Sequence, residues 1–157
     1  MKKIINPWLE ISGYNCVGCA PDNDRSLKME FFEDGDEIVS TWKPESCFQG
    51  WLNTLHGGIH SVLLDEIAAW VIVRKLQTFG VTSKMEIRYL KAVSTNDSYI
   101  TLRAHLIETR RNLAIIEASL FDSSGDVCSK ALLTYFTYPK EKAAEMVRFY
   151  GCKVEEE

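Results

Sequence analysis

The sequence predicts an α+β domain, with one long apolar helix packed on a curved antiparallel sheet of about six strands. Three observations predict it. Residues 57–77 are apolar almost throughout and end near Gly80, a C-cap signal. After Gly80 the hydrophobic period changes from helical to two. Polar turns separate the alternating segments, and short turns join antiparallel neighbours.

The 157 residues suit one domain, residues 1–157. Residues 1–26 read as an irregular flap, with Pro7, Gly13, Gly18 and Pro21-Asp22-Asn23-Asp24. Leu27 to Phe32 and Ile38 to Trp42 read as two strands joined by the Asp34-Gly35-Asp36 turn. Residues 44–55 form a loop, and the helix follows. Met85, Ile87 and Tyr89 begin the period-two region. Ile100, Leu102, Ala104 and Leu106 continue it, then Ala114, Ile116, Ala118 and Leu120, then Leu132, Thr134 and Phe136. Turns fall at 95–97, 110–112 and 123–126. Residues 139–157 supply a short charged helix, Lys140 to Arg148, and a tail. A helix apolar on nearly every side is buried all round. One flat sheet covers one side, so the sheet wraps the helix or a second subunit covers the rest.

Composition excludes several classes of function. Apolar residues make up 46% of the chain and the net charge is −4. That is no basic footprint for nucleic acid. Val62 to Val73 is the most apolar run, yet Asp65 and Glu66 interrupt it and it is short of the roughly 18 residues of a membrane span. Met1 to Trp8 is basic but has no long apolar stretch, so it does not read as a secretory leader. Five cysteines, an odd number, read as reduced thiols in the cytoplasm.

Chemistry concentrates in Leu55-His56-Gly57-Gly58 and Leu64-Asp65-Glu66. Gly-Gly at a helix start lets a ligand approach the backbone and leaves free N–H groups aimed at it. Two carboxylates then follow inside an apolar helix, where an unpartnered charge is costly. At about 100° per residue, Asp65 shares a face with Ser61, Ala68 and Ala69, and Glu66 shares one with Ile59, Val62, Trp70 and Val73. Small neighbours leave Asp65 room to work. Bulky ones assign Glu66 to packing or to a basic partner. The alternative is that both acids serve only an ion-pair network at a subunit interface.

These residues, with three further stretches, resemble the hotdog-fold acyl-CoA thioesterases of the hydroxybenzoyl-CoA thioesterase superfamily, in particular the phenylacetate-type (PaaI-like) branch. The stretches are Cys16-Val17-Gly18-Cys19-Ala20-Pro21-Asp22-Asn23 with Leu27-Lys28-Met29; Gln49-Gly50-Trp51 with His56-Gly57-Gly58 and Leu64-Asp65-Glu66; Thr82 with Met85 to Lys91; and Arg110-Arg111-Asn112 with Glu117-Ala118 and Asp122 to Gly125. The resemblance implies a hotdog fold, a homodimer with a continuous sheet or a homotetramer, and an active site between subunits. It implies hydrolysis of an acyl-CoA to free acid and coenzyme A, with Asp65 as base or nucleophile and the Gly57 amide holding the thioester oxygen. Thr82 matches a hydroxyl residue from the neighbouring subunit, and His56 the histidine that shapes the turn. Gly58, Gln49, Trp51 and Glu66 are expected to line the substrate, and Arg110 and Arg111 to meet the coenzyme A phosphates through their guanidinium forks. Gly50 stands where some relatives place Asn or Gln, Ala92 where many have Pro, and Ser26 where Gly is usual.

No cofactor or metal is expected beyond the coenzyme A of the substrate. Cys16-x-x-Cys19 and His56-x-x-x-His60 are zinc-like half-motifs, but they lie much farther apart than the roughly dozen residues of a Cys₂His₂ finger. Cys16 and Cys19 read instead as two buried thiols of the flap. A non-catalytic acyl-CoA binder is the second reading, and a hotdog hydratase a third that lacks its His-Phe-Pro element here. Trp42, Trp51, Trp70 and Tyr89 are expected to pack the core or an interface.

Overall fold

The computed structural model describes residues 1–156. Helix α1 spans Gly57–Val71, starting where the loop gives way to the apolar run. It does not stop there. A π-helical turn continues it through Ile72–Leu76, and Gln77 closes it in the left-handed region at φ 54°. Gln77, not Gly80, is therefore the terminator. Its Nε2 donates to the carbonyls of Arg74 (2.8 Å) and Cys152 (2.9 Å), and Cys152 N–H donates to its Oε1 (2.9 Å), which satisfies groups a helix end leaves open. Gly80 serves a different purpose. A Cβ there would lie 2.7 Å from the Phe136 carbonyl oxygen, so glycine lets two strands meet.

Seven strands form one antiparallel sheet: β1 (Lys2–Lys3), β2 (Phe32–Asp34), β3 (Glu37–Trp42), β4 (Gly80–Tyr89), β5 (Ile100–Arg110), β6 (Leu113–Phe121) and β7 (Val127–Thr137). Their order is β1-β2-β3-β5-β6-β7-β4. The flap is less irregular than expected, because Lys2–Lys3 adds the seventh strand against β2. The first long strand is shorter than expected. Leu27 and Met29 donate to the carbonyls of Val17 (2.8 Å) and Gly18 (3.0 Å), so this stretch secures the flap, and the ladder begins at Phe32. Consecutive strands β4 and β5 are not neighbours. Segment 90–99 carries the chain across the sheet, and β4 closes the far edge against β7. Helix α2 (Lys140–Val147) follows β7.

The sheet curls around α1. Leu63, Leu64, Ile67, Ala68 and Val71 are fully enclosed by alternate residues of β5, β6 and β7, among them Leu102, Ala104, Ala114, Ile116, Ala118 and Leu133. The three alanines of that face let the helix approach closely. Each buried leucine contributes about 1.5–3 kcal/mol. The chain's own sheet encloses the helix only in part. Ile59, Val62, Asp65, Glu66 and Ala69 keep a half-buried strip, because β4 ends the sheet on that side. Trp42 and Trp70 are buried as expected, but Trp51 is 85% exposed at the tip of the loop before α1.

The end of α1 is tied to the β2–β3 hairpin. Arg74 grips Glu33 with two bonds (2.9 and 3.1 Å), and Lys75 adds a third (2.7 Å). The Arg74 hydrogen bond, then Lys75, hold the Glu33 carboxyl down at about 2. A carboxyl depressed on folding stabilises the fold above its ordinary value near 4.5 and loses that contribution as pH falls towards about 2. Urea titrations at a series of pH values should show Glu33→Gln less stable than wild type at neutral pH, with the gap closing below about pH 4.

Candidate active site

The N-terminus of α1 is built by His56. Its Nδ1 accepts the Gly58 N–H at 2.8 Å, and its carbonyl accepts from Ile59 (2.9 Å) and His60 (3.2 Å). A Cβ on Gly58 would lie 3.0 Å from that same Nδ1, which is why glycine follows. Among the described residues the Gly57 N–H donates to no acceptor. One amide at the positive end of the helix dipole is thus left for a ligand. Its peptide is fixed from the other side, since the Gly57 carbonyl accepts from Tyr89 Oη at 2.7 Å and Ser61 Oγ at 3.2 Å.

Asp65 lies two turns further on, half-buried in the open strip. Its Oδ1 accepts from Thr82 Oγ1 at 2.8 Å and from the Tyr135 hydroxyl, which also reaches the Asp65 carbonyl at 2.7 Å. Oδ2 has no partner among the described residues. Burial, reinforced by the Asp65 charge, pushes the Tyr135 phenol far up, so it stays a donor. The carboxylate is held in one orientation with one oxygen left free.

Thr82 reaches Asp65 because β4 carries a bulge between Thr82 and Lys84. Counting back by twos from Ile87 and Met85, which face inward opposite Ala131 and Leu133, would turn Ser83 inward. The extra residue turns Thr82 inward instead, directly opposite buried Tyr135. The other end of β4 holds Tyr89 on Gly57. One strand therefore clamps both functional points of α1. The resemblance assigns Thr82 to a neighbouring subunit, whereas here it bonds Asp65 of its own chain.

Tyr135 and Tyr89 were not legible as site residues. Tyr135 left one signal: a tyrosine in a buried alternation of Ala131, Leu133 and Tyr135 needs a partner for its hydroxyl. Tyr89 was expected to pack a core or interface and is instead the Gly57 anchor.

Other expected residues scatter. Gln49 Oε1 accepts the Asn53 N–H at 3.2 Å, within its own loop. Arg110 and Arg111 lie exposed at the β5–β6 turn, Arg111 at φ 55°, with Arg110 paired to Glu108 at 3.1 Å. Across the sheet Arg110 aligns with Leu113, Phe136 and Val81, so this turn shares the sheet end that carries Thr82. Glu66 points away from Asp65, under the flap. Cys16 Sγ donates to its Oε1 (3.3 Å), as does Trp70 Nε1 (3.2 Å). Among the described residues no basic side chain bonds it. Both thiols are free, and the interaction between them lowers Cys16 and, with burial, raises Cys19. His56 is engaged with Gly58, and buried His60 meets Ser129 Oγ at 2.8 Å, so neither histidine joins the cysteines. Desolvation lowers His60 to about 4. A cavity of about 520 Å³ opens on the Glu66 side, walled by Trp8, Tyr14, Trp70 and Phe79.

A sequence profile described as the thioesterase superfamily matches residues 52–129, the stretch that carries the helix N-terminus, Asp65 and Thr82. The chain belongs to the thioesterase superfamily. Solved structures of similar fold are hotdog-fold thioesterases. A hypothetical thioesterase of Streptococcus pneumoniae, solved with coenzyme A, is 26% identical with a TM-score of 0.65, over 70% of this chain and 85% of that one. Zebrafish thioesterase superfamily member 2 is 25% identical with a TM-score of 0.66, over 74% and 88%. A Saccharolobus solfataricus protein named as a candidate esterase is 29% identical over 86 residues. That match spans 54% of this chain and 55% of the archaeal protein.

Removing the His56 cap tests the N-terminal geometry. His56→Ala should cost about 0.5–2 kcal/mol in urea unfolding, the range for loss of a side-chain cap.

Proposed function

We propose that this protein hydrolyses an acyl-CoA thioester to a free acid and coenzyme A, as a homo-oligomer whose active sites are shared between subunits. The pinned Asp65 carboxylate with a free Oδ2, on the same helix as an unused Gly57 amide, carries the reading. The thioester oxygen sits on the Gly57 N–H, which meets the negative charge that develops there. Asp65 Oδ2 takes the proton of the attacking water. The new C–O bond displaces the thiolate of coenzyme A, which then takes up a proton. Thr82 and Tyr135 keep the carboxylate aimed. The pneumococcal relative has been solved also as an aspartate-to-alanine and as a threonine-to-alanine mutant, which fits attention to such a pair.

Spacing supports the shared site. Gly57 and Asp65 are eight residues apart on one helix, a rise of about 12 Å at about 1.5 Å per residue. Reacting groups must lie within about 3–3.5 Å of the carbon they act on. The Gly57 amide of one helix therefore pairs with the Asp65 of another. The uncovered outer edge of β4, the half-buried strip of α1 and exposed Trp51 and Leu52 give a second copy a surface to meet. The arginine turn, on the sheet end that bears Thr82, suits the coenzyme A phosphates. The His-Gly-Gly start with Asp65 eight residues after its first glycine fits the PaaI-like branch. No helix among the described residues is long and apolar enough to cross a membrane. The unpaired cysteines suit the reducing cytoplasm.

Thiol release from a panel of acyl-CoAs tests the reaction. Asp65→Asn should lower kcat by about 10² or more. Near-normal turnover by that variant would falsify the Asp65 assignment, and tight acyl-CoA binding without release by wild type would overturn the hydrolase reading in favour of a binder. Gly57→Pro removes the amide proton and puts a ring carbon in its place, in a backbone that accepts it, because proline is tolerated at the first helical position and His56 is already extended at ψ 134°. It should cost about 10²–10³ in kcat. Co-expressing the two dead variants decides how the site is shared. Mixed dimers recover activity only if amide and carboxylate come from different chains.

A further inference from the structure

The flap motif Cys16-x-x-Cys19 is not used by the proposed reaction, and the fold gives it a third partner. Cys16 Sγ, Cys19 Sγ and a Glu66 carboxylate oxygen all lie within 4.8 Å of one another, with Cys16 Sγ and Glu66 Oε1 at 3.3 Å. We propose that Cys16, Cys19 and Glu66 form a Zn²⁺ site that fastens the N-terminal flap to α1.

The chemistry and the spacing agree. Two thiolates and one carboxylate are a borderline-soft donor set suited to four-coordinate Zn²⁺. Bonds of about 2.3 Å to sulfur and about 2.0–2.2 Å to oxygen put tetrahedral ligand atoms roughly 3.3–3.8 Å apart. The present cluster reaches that with a small closure. All three residues also wall the 520 Å³ cavity, so the fourth position opens to water.

The surroundings are those of a ligand set. Each member has its own supporting donor, as metal ligands do. Gly18 N–H reaches Cys16 Sγ at 3.3 Å, Tyr14 Oη meets Cys19 Sγ at 2.8 Å, and Trp70 Nε1 donates to Glu66 Oε1 at 3.2 Å. Asn6 Nδ2 in turn holds Tyr14 Oη at 2.9 Å. No lysine or arginine bonds the Glu66 carboxylate among the described residues. Gly18 is the steric signature. A Cβ there would lie 2.5 Å from Glu66 Cδ, so the turn between the cysteines is glycine in order to seat on that carboxyl group. The pairing of Leu27 and Met29 with Val17 and Gly18 fixes the turn in place. Binding releases the thiol protons of Cys16 and Cys19 to solvent and changes no oxidation state.

The test uses the full chain, purified reduced and without air, stripped with a chelator and titrated with Zn²⁺ and separately with Co²⁺. One Zn²⁺ per chain is expected. Co²⁺ should give the near-ultraviolet thiolate-to-metal band and the intense visible bands of a tetrahedral site. The Cys16→Ser, Cys19→Ser double variant should lose both. Glu66→Gln should keep the thiolate band and weaken affinity by at least the roughly 10–100-fold that loss of a supporting group costs. The wild-type cobalt spectrum does not depend on whether any variant folds. A folded, reduced wild type that takes up neither metal would overturn the proposal, as would Zn²⁺ retained undiminished by the double variant. So would full affinity in Glu66→Gln. These readouts are independent of thioester turnover, so the zinc site and the hydrolase reading stand or fall separately.

Discussion

Burial of α1 is the constraint on which everything else rests. Leu63, Leu64, Ile67, Ala68 and Val71 have no exposed surface. The sheet must curl to cover it, and Ala104, Ala114 and Ala118 keep the concave face shallow enough to do so. The curl stops at β4. What lies beyond that edge is the half-buried strip with Asp65 and Glu66, so the same burial that makes the core also decides where polar chemistry is tolerated.

Strand β4 turns that constraint into a site. It is an edge strand on one side and a clamp on the other. The bulge before Lys84 brings Thr82 to Asp65, and the far end brings Tyr89 to Gly57. Neither contact adds much to the core. Both fix orientations that a helix alone leaves loose: the rotamer of a carboxylate and the peptide plane behind a free amide. Preorganised groups of this kind need no rearrangement when charge develops.

The two adjacent acids have separate fates. One residue of offset on a helix is about 100° of rotation. It sends Asp65 to the hydroxyls of β4 and β7, and Glu66 beneath the flap to Cys16 and Trp70. The bulky neighbours of Glu66 pointed to packing or to a basic partner, and the groups that bond it are Cys16 and Trp70. What lay above it was a thiol pair rather than a base, because the contact spans 50 residues of chain.

Sequence by itself determined the helix, the change to period two, the His-Gly-Gly start and the face that carries Asp65. All of these are local, set by side chains within a few positions of one another. Only the tertiary structure decided the partners. β4 pairs with β7 instead of β5, Gln77 ends the helix in place of Gly80, and Tyr135, Tyr89 and Thr82 converge on α1. Alternation could not reveal Thr82, since a bulge resets the count by one residue and leaves no mark in the pattern. Contacts between distant segments depend on how the sheet closes around the helix, and that closure is a property of the assembled core.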